Sequence, residues 1–194
     1  MRKAEVKRTT KETDIELVLD LDGRGVSVID TGIGFFDHML SGFTKHGFFD
    51  MTLKCKGDLN VDGHHTVEDC GIVLGEALKQ AVGDKAGMVR YGHFILPMDD
   101  ALVLCAVDFC GRPCFNYDLK FDTEFCGDYA TELTKEFFYA VSYSAGINLH
   151  LKQLDGVNSH HITEAAFKAF GKAVDMATRM DERVLGVLST KGSL

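Results

Sequence analysis

HHTVEDCGIVLGEALKQAV at residues 64–82 and HHITEAAFKAFGKAVDMAT at 160–178 are the two stretches that decide the architecture. Both open on His-His-x-x-Glu, at an offset of 96 residues. Apolar positions 70, 73, 74, 77, 78 and 81 reappear at 166, 169, 170, 173, 174 and 177. Steps of three and four lay an apolar stripe along one face of a helix, so each stretch reads as a helix packed on a core. Gly75 falls on Gly171. Upstream, FFDHML (35–40) and TKEFFYA (134–140) each open a helix that precedes a strand leading into the HH motif. An offset of 98 sets His38 on Glu136. The chain therefore reads as a duplication: halves of about 1–90 and 91–194 form a pseudo-twofold pair within one domain spanning 1–194.

The rest of the pattern fills in around these helices. Short strands are expected at Val6–Thr10, Ile15–Leu21 and Val26–Ile29, with LDGRG (21–25) as a hairpin turn between the last two. A helix at Phe35–Lys45 and a strand at Met51–Lys56 lead to the helix His64–Val82, which Gly83 ends. Tyr91–Leu96, Ala101–Asp108 and Cys114–Leu119 read as buried strands. A helix at Glu132–Ser144, a strand at Asn148–Lys152 and a helix at His161–Thr178 complete the chain. This is an α+β class, each duplicated half a sheet with helices packed on one side.

Composition narrows the function. The 194 residues carry a net charge of −8, which argues against a surface that tracks nucleic-acid phosphates but leaves room for a local pocket for one small anion. The charged start MRKAEVKRTTKETD has no apolar signal segment, and no apolar run approaches the roughly 20 residues of a membrane span. A cytoplasmic location is expected. The six cysteines form no CxxC pair and several sit in apolar runs such as LVLCAVDF, so they read as reduced core thiols.

The chemistry lies in the two motifs. On a helix, residues i and i+3 share a face, so His65 with Glu68, and His161 with Glu164, are each expected to reach one ion. The preceding histidines, His64 and His160, point about 100° away and are free to serve another ion. Imidazole with carboxylate and no thiolate suits Mn, Fe or Zn. His38 and His46, two turns apart on one helix, can face one pocket. Arg90, Arg112, Lys168 and Lys191, with Ser189, could cradle a phosphate.

These motifs carry a resemblance along the whole chain. RTTKET (8–13), DTGIGFFDHML (30–40), DGHHTVEDCGIVLGEAL (62–78), RYGHFILPMDDA (90–101), FCGRP (109–113), NSHHITEAAFKAFGKA (158–173) and STKG (189–192) together resemble the imidazoleglycerol-phosphate dehydratases of histidine biosynthesis. The resemblance implies a hydro-lyase converting imidazole glycerol phosphate to imidazole acetol phosphate, with two Mn2+ per chain. It implies the ribosomal protein S5 domain 2-like fold, a homo-oligomer of 24 subunits with metal sites completed between neighbours, and a form without a fused phosphatase. One ion would take His38, His65, Glu68 and His160. The other would take His64, His161, Glu164 and Glu136, a position where some relatives carry His. Substrate would meet Glu12, Arg90, Arg112, Lys168, Ser189 and Lys191. Glu12 is the expected proton-transfer group, with His46 as understudy. Two rival readings remain, a two-metal hydrolase and a non-catalytic metal-storage shell; turnover of the substrate separates the first and phosphate competition the second.

Overall fold

A computed structural model describes residues 2–194. The first half contains β1 (Lys3–Thr9), β2 (Thr13–Asp20), β3 (Ser27–Asp30), α1 (Gly34–Gly47), β4 (Asp50–Gly57) and α2 (His64–Val82). The second contains β5 (Tyr91–Met98), β6 (Ala101–Asp108), β7 (Cys114–Asp118), β8 (Phe125–Cys126), β9 (Tyr129–Ala130), α3 (Leu133–Ala145), β10 (Asn148–Asp155) and α4 (Ser159–Thr178). One sheet has the order β1-β2-β4-β3 and the other β5-β6-β10-β7. In both, the last pair is parallel and joined through a helix, while the other pairs are antiparallel. The halves are thus repeats in topology as well as in sequence.

Strict alternation makes each sheet one-sided. Ile15, Leu17 and Leu19 of β2, like Val103, Cys105 and Val107 of β6, are buried, while the residues between them face outward. The buried faces meet the helices, which lie between the two sheets. The helices cross between halves, α2 against α3 and α1 against α4. Phe36, Phe137, Phe138, Phe167 and Phe170 are fully buried, and the centroids of the Phe137 and Phe167 rings are 5.0 Å apart. The repeated glycines mark the two helix crossings. A Cβ on Gly75 would stand 2.8 Å from the Val141 carbonyl oxygen of α3, and one on Gly171 would stand 2.5 Å from that of Phe43 in α1. Neither position has room for a side chain.

The expected hairpin at LDGRG is absent. β4 lies between β2 and β3, pairing antiparallel with one and parallel with the other. The Asp50 carboxylate at the start of β4 accepts the N–H groups of Arg24 and Val26, at 2.8 and 2.9 Å, and ties the loop there. The small hairpin β8–β9 was not anticipated. All six cysteines are free, four of them buried. Among the described residues no helix is long and apolar enough to cross a membrane.

Candidate functional site

Two carboxylates set the start of α1, where Ile33 offers no side-chain cap. Asp128, at the β8–β9 turn in the other half, accepts the N–H of Gly34 (2.8 Å) and of Phe35 (3.2 Å). Asp37 in the first turn accepts the backbone N–H and the hydroxyl of Thr31, at 3.0 and 2.6 Å. Both arrangements satisfy N–H groups or complement the dipole where a helix needs it. They orient the next turn, which carries His38. The start of α4 is capped by Asn158, which accepts the His161 N–H.

These starts bring His38, His160 and Glu164 together, with ligand atoms all within 4.8 Å of one another. Glu164 Oε2 lies 3.3 Å from His160 Nε2 and 3.8 Å from His38 Nε2. Its Oε1 takes Lys168 Nζ at 2.6 Å. Burial pushes the Glu164 carboxyl upward, but the Lys168 hydrogen bond and the charges of Lys168, His38 and His160 outweigh it and hold it below its usual value. Two imidazoles and an ionised carboxylate, without thiolate, form a donor set that fits Mn2+, Fe2+ or Zn2+.

Neither the expected pairing of the second histidine with the glutamate nor the expected grouping of His38 and His160 with Glu68 is what the single chain shows, since both of those histidines stand beside Glu164. His160, four residues before Glu164, stands beside it, and His64 Nε2 is likewise 3.9 Å from Glu68 Oε2. Side chains lean toward the helix N-terminus, so i and i+4 stack on one face. Glu136 of α3 is the repeat counterpart of His38, though among the described residues only the His38 group draws three donors within 4.8 Å of one another. Tyr139's hydroxyl is raised first by its hydrogen bond with Tyr143, and in lesser part by the nearby charges of Glu136 and Glu68.

His65 and His161 turn to different partners. His65 Nδ1 meets Asp58, at 3.0 and 3.2 Å, and its Nε2 is 3.8 Å from Glu12. The Asp58 hydrogen bond raises the pKa of His65. His161 Nδ1 meets Asp100 at 2.6 Å, and its Nε2 is 3.4 Å from Asp99. That bond, with two backbone N–H groups, holds Asp100 well below the usual carboxylate range. Glu12 is exposed on the β1–β2 turn, and its place is set from below. Asp69 of α2 takes Arg8 Nε and Nη2 at 3.2 Å on one oxygen and the Thr13 hydroxyl on the other. The ends of RTTKET are thus clamped to α2, with Glu12 between them.

The expected anion residues divide. Arg90, Arg112, Ser189 and Lys191 line one cavity of about 850 Å³ under the C-terminal segment. Lys168 is elsewhere, on Glu164, because it follows that residue by one helical turn. Arg90 is bidentate to Asp108 (2.6 and 3.0 Å) and donates to the Leu188 carbonyl (2.7 Å), so it also anchors the segment carrying Ser189 and Lys191. His46 is half-buried in the last turn of α1. Burial lowers its pKa, as do the charges of Lys168 and Lys172. It faces Lys168 rather than joining the His38 cluster.

The family model for imidazoleglycerol-phosphate dehydratase matches residues 31–174. The chain belongs to the imidazoleglycerol-phosphate dehydratase family. It is 63% identical over 193 residues to the imidazoleglycerol-phosphate dehydratase of Lachnoclostridium phytofermentans, covering 100% of this chain and 98% of that one. Identity to the Acetivibrio thermocellus protein is 58%, covering 100% and 99%. The solved structure from Staphylococcus aureus superposes with a TM-score of 0.84 at 36% identity, covering 92% of this chain and 99% of that one. The structure from Pyrococcus furiosus also gives 0.84, at 41% identity, covering 97% and 100%. As a member of this dehydratase family the chain is an enzyme, a hydro-lyase of histidine biosynthesis.

Three acids, Asp58, Asp99 and Asp100, enter the site only through the structure, beside His65 and His161. The signal for the last two was present in RYGHFILPMDDA, where paired acids sit at a tight turn. Asp58 had none, since its contact with His65 depends on how β4 leads into α2.

Proposed function

We propose that the chain dehydrates imidazole glycerol phosphate to imidazole acetol phosphate with two Mn2+ ions per chain, as a cytoplasmic homo-oligomer of 24 subunits. The observation that carries this reading is the convergence of His38, His160 and Glu164, three donors from two helices within 4.8 Å of one another. Its repeat counterpart is His64, Glu68 and Glu136, which makes two sites per chain the natural count. Glu136 is an oxygen donor where some relatives carry His, and Mn2+ accepts both. His65 and His161 join neither group, and both side chains are partly exposed. Completion of each site by a neighbour's second histidine accounts for them and ties metal binding to assembly.

Ions held there would polarise the substrate's imidazole ring as Lewis acids. The chain's own groups do the rest. The carbon that loses its proton has no adjacent carbonyl, so proton removal needs a positioned base. Glu12, exposed and clamped at its turn, is suited to that transfer, and His46 is the alternative. Arg90, Arg112, Ser189 and Lys191, which line one cavity, would hold the phosphate. Lys168, bonded to Glu164 in the single chain, would reach the same substrate only where a neighbour's cavity meets the metal cluster.

The test is conversion of imidazole glycerol phosphate by purified protein, after chelation and after Mn2+ is restored. Activity lost on chelation, regained with Mn2+ and saturating at two ions per chain is the expected result. Full turnover by metal-free protein, or saturation at one ion, overturns it.

A further inference from the structure

The second histidine of each motif meets a carboxylate on its Nδ1 side, and the reading above assigns those carboxylates no task. Asp58 follows β4 and stands 3.0 Å from His65 Nδ1. Asp100 lies at the β5–β6 turn and stands 2.6 Å from His161 Nδ1. The two acids are not repeat counterparts. The offset that aligns β4 with β10 sets Asp58 on Gly156, and Asp100 belongs to the turn that matches Lys11 and Glu12. Each half thus reaches the same pairing from a different loop, which duplication alone does not explain.

The pairing has a definite chemical effect. A neutral imidazole carries one N–H, and a carboxylate at Nδ1 places the proton there. The lone pair is then on Nε2, the only nitrogen left to bind a cation. Asp100 is itself held by backbone. Its Oδ2 accepts the N–H groups of Val157 and Asn158, at 2.8 and 3.0 Å, while Asn158 caps α4 on the His161 N–H. The His161 ring is therefore tied to the start of its own helix before any ligand arrives. On the Nε2 side each ring faces a more exposed acid, Glu12 at 3.8 Å and Asp99 at 3.4 Å.

We propose that Asp58 and Asp100 are positioning residues that fix the Nδ1–H tautomers of His65 and His161 and present each Nε2 as a pre-oriented donor to a divalent cation. This rests on the two-ion reading above. Carboxylates behind ligating histidines strengthen cation binding by roughly 10–100-fold. Each acid should act on one ion only, because each holds one histidine.

The experiment uses the full chain, stripped by chelation and titrated with Mn2+, with free ion followed by its electron paramagnetic resonance signal. D58A and D100A should each weaken one of the two ions by roughly 10–100-fold and leave the other within twofold. D58N and D100N, isosteric and still able to accept the Nδ1–H, should fall between Ala and the parent. D155N is the control, since Asp155 bonds only its neighbour's N–H, and it should match the parent. Thermal melts of the metal-free variants separate an ion-binding effect from lost folding. Affinities within twofold of the parent in both Ala variants, or equal weakening of both ions in either, overturn the proposal. A parent that binds no Mn2+ overturns the metal reading itself, and the two failures are told apart by that measurement.

Discussion

Replacing Asp69 with Ala tests whether the RTTKET segment acts as a clamp that places Glu12. The Asp69 side chain is 9% exposed, and its two oxygens bind Arg8 and Thr13. A hydrogen bond from a buried hydroxyl to a charged acceptor contributes about 1.5–3 kcal/mol. The Arg8 pair contributes less, because that side chain is 36% exposed and water replaces part of the contact; the surface range of about 0.2–1 kcal/mol applies. The loss should be about 3 kcal/mol, or about 6–12 °C in melting temperature at about 2–4 °C per kcal/mol for a chain of this size. Asp69→Asn keeps an acceptor for Thr13 and should lose about 1 kcal/mol, roughly a third as much. The melts should follow circular dichroism in chelator at matched protein concentration, since bound metal and assembly add their own stabilisation. With the turn released, kcat in Mn2+ should fall by roughly 10–100-fold, a positioning loss, while ion content stays at the parent value. A melting temperature within about 1 °C of the parent would remove the energetic part of this reasoning. An unchanged kcat in a destabilised D69A would show that Glu12 needs no clamp.

Two further outcomes follow from the site. Glu12→Gln keeps size and hydrogen bonding but cannot take a proton, so kcat should fall by roughly 10²–10⁴-fold with Mn2+ content unchanged; near-full turnover in a steady-state assay would move the role to His46. Lys168→Met removes the counter-charge of Glu164, whose folded pKa lies below its usual value in the parent. A depressed carboxyl stabilises above its unfolded pKa and loses that contribution as pH falls through the folded value. Metal-free K168M should therefore melt below the parent at pH 7, with the gap closing toward pH 3; a gap that is constant with pH in parallel melts would refute the pairing.

Much of this protein is settled by local pattern. The spacing of apolar residues in 64–82 and 160–178 specifies two amphipathic helices whatever surrounds them, because a helix repeats every ~3.6 residues. Alternation did the same for the strands, and the internal match at offsets of 96 and 98 announced the duplication before any contact was known. The motifs placed the family, and His38, His160 and Glu164 were all named from them.

What tertiary structure decided depends on distant parts of the chain. LDGRG has good turn chemistry, yet β4 enters between β2 and β3, since a parallel crossover and the Asp50 bonds outweigh a local turn preference. The i, i+3 rule pointed to His65 with Glu68 and to His161 with Glu164, yet residues i and i+4 also share a helix face. The choice of His160 and His64 follows from side-chain lean on α4 and α2, and from loop carboxylates that draw His65 and His161 away. Lys168 met Glu164 instead of the arginines because its neighbour one turn back is nearer than any residue the fold brings to it. Periodicity reports which face of an element is buried; only packing reports what stands opposite that face.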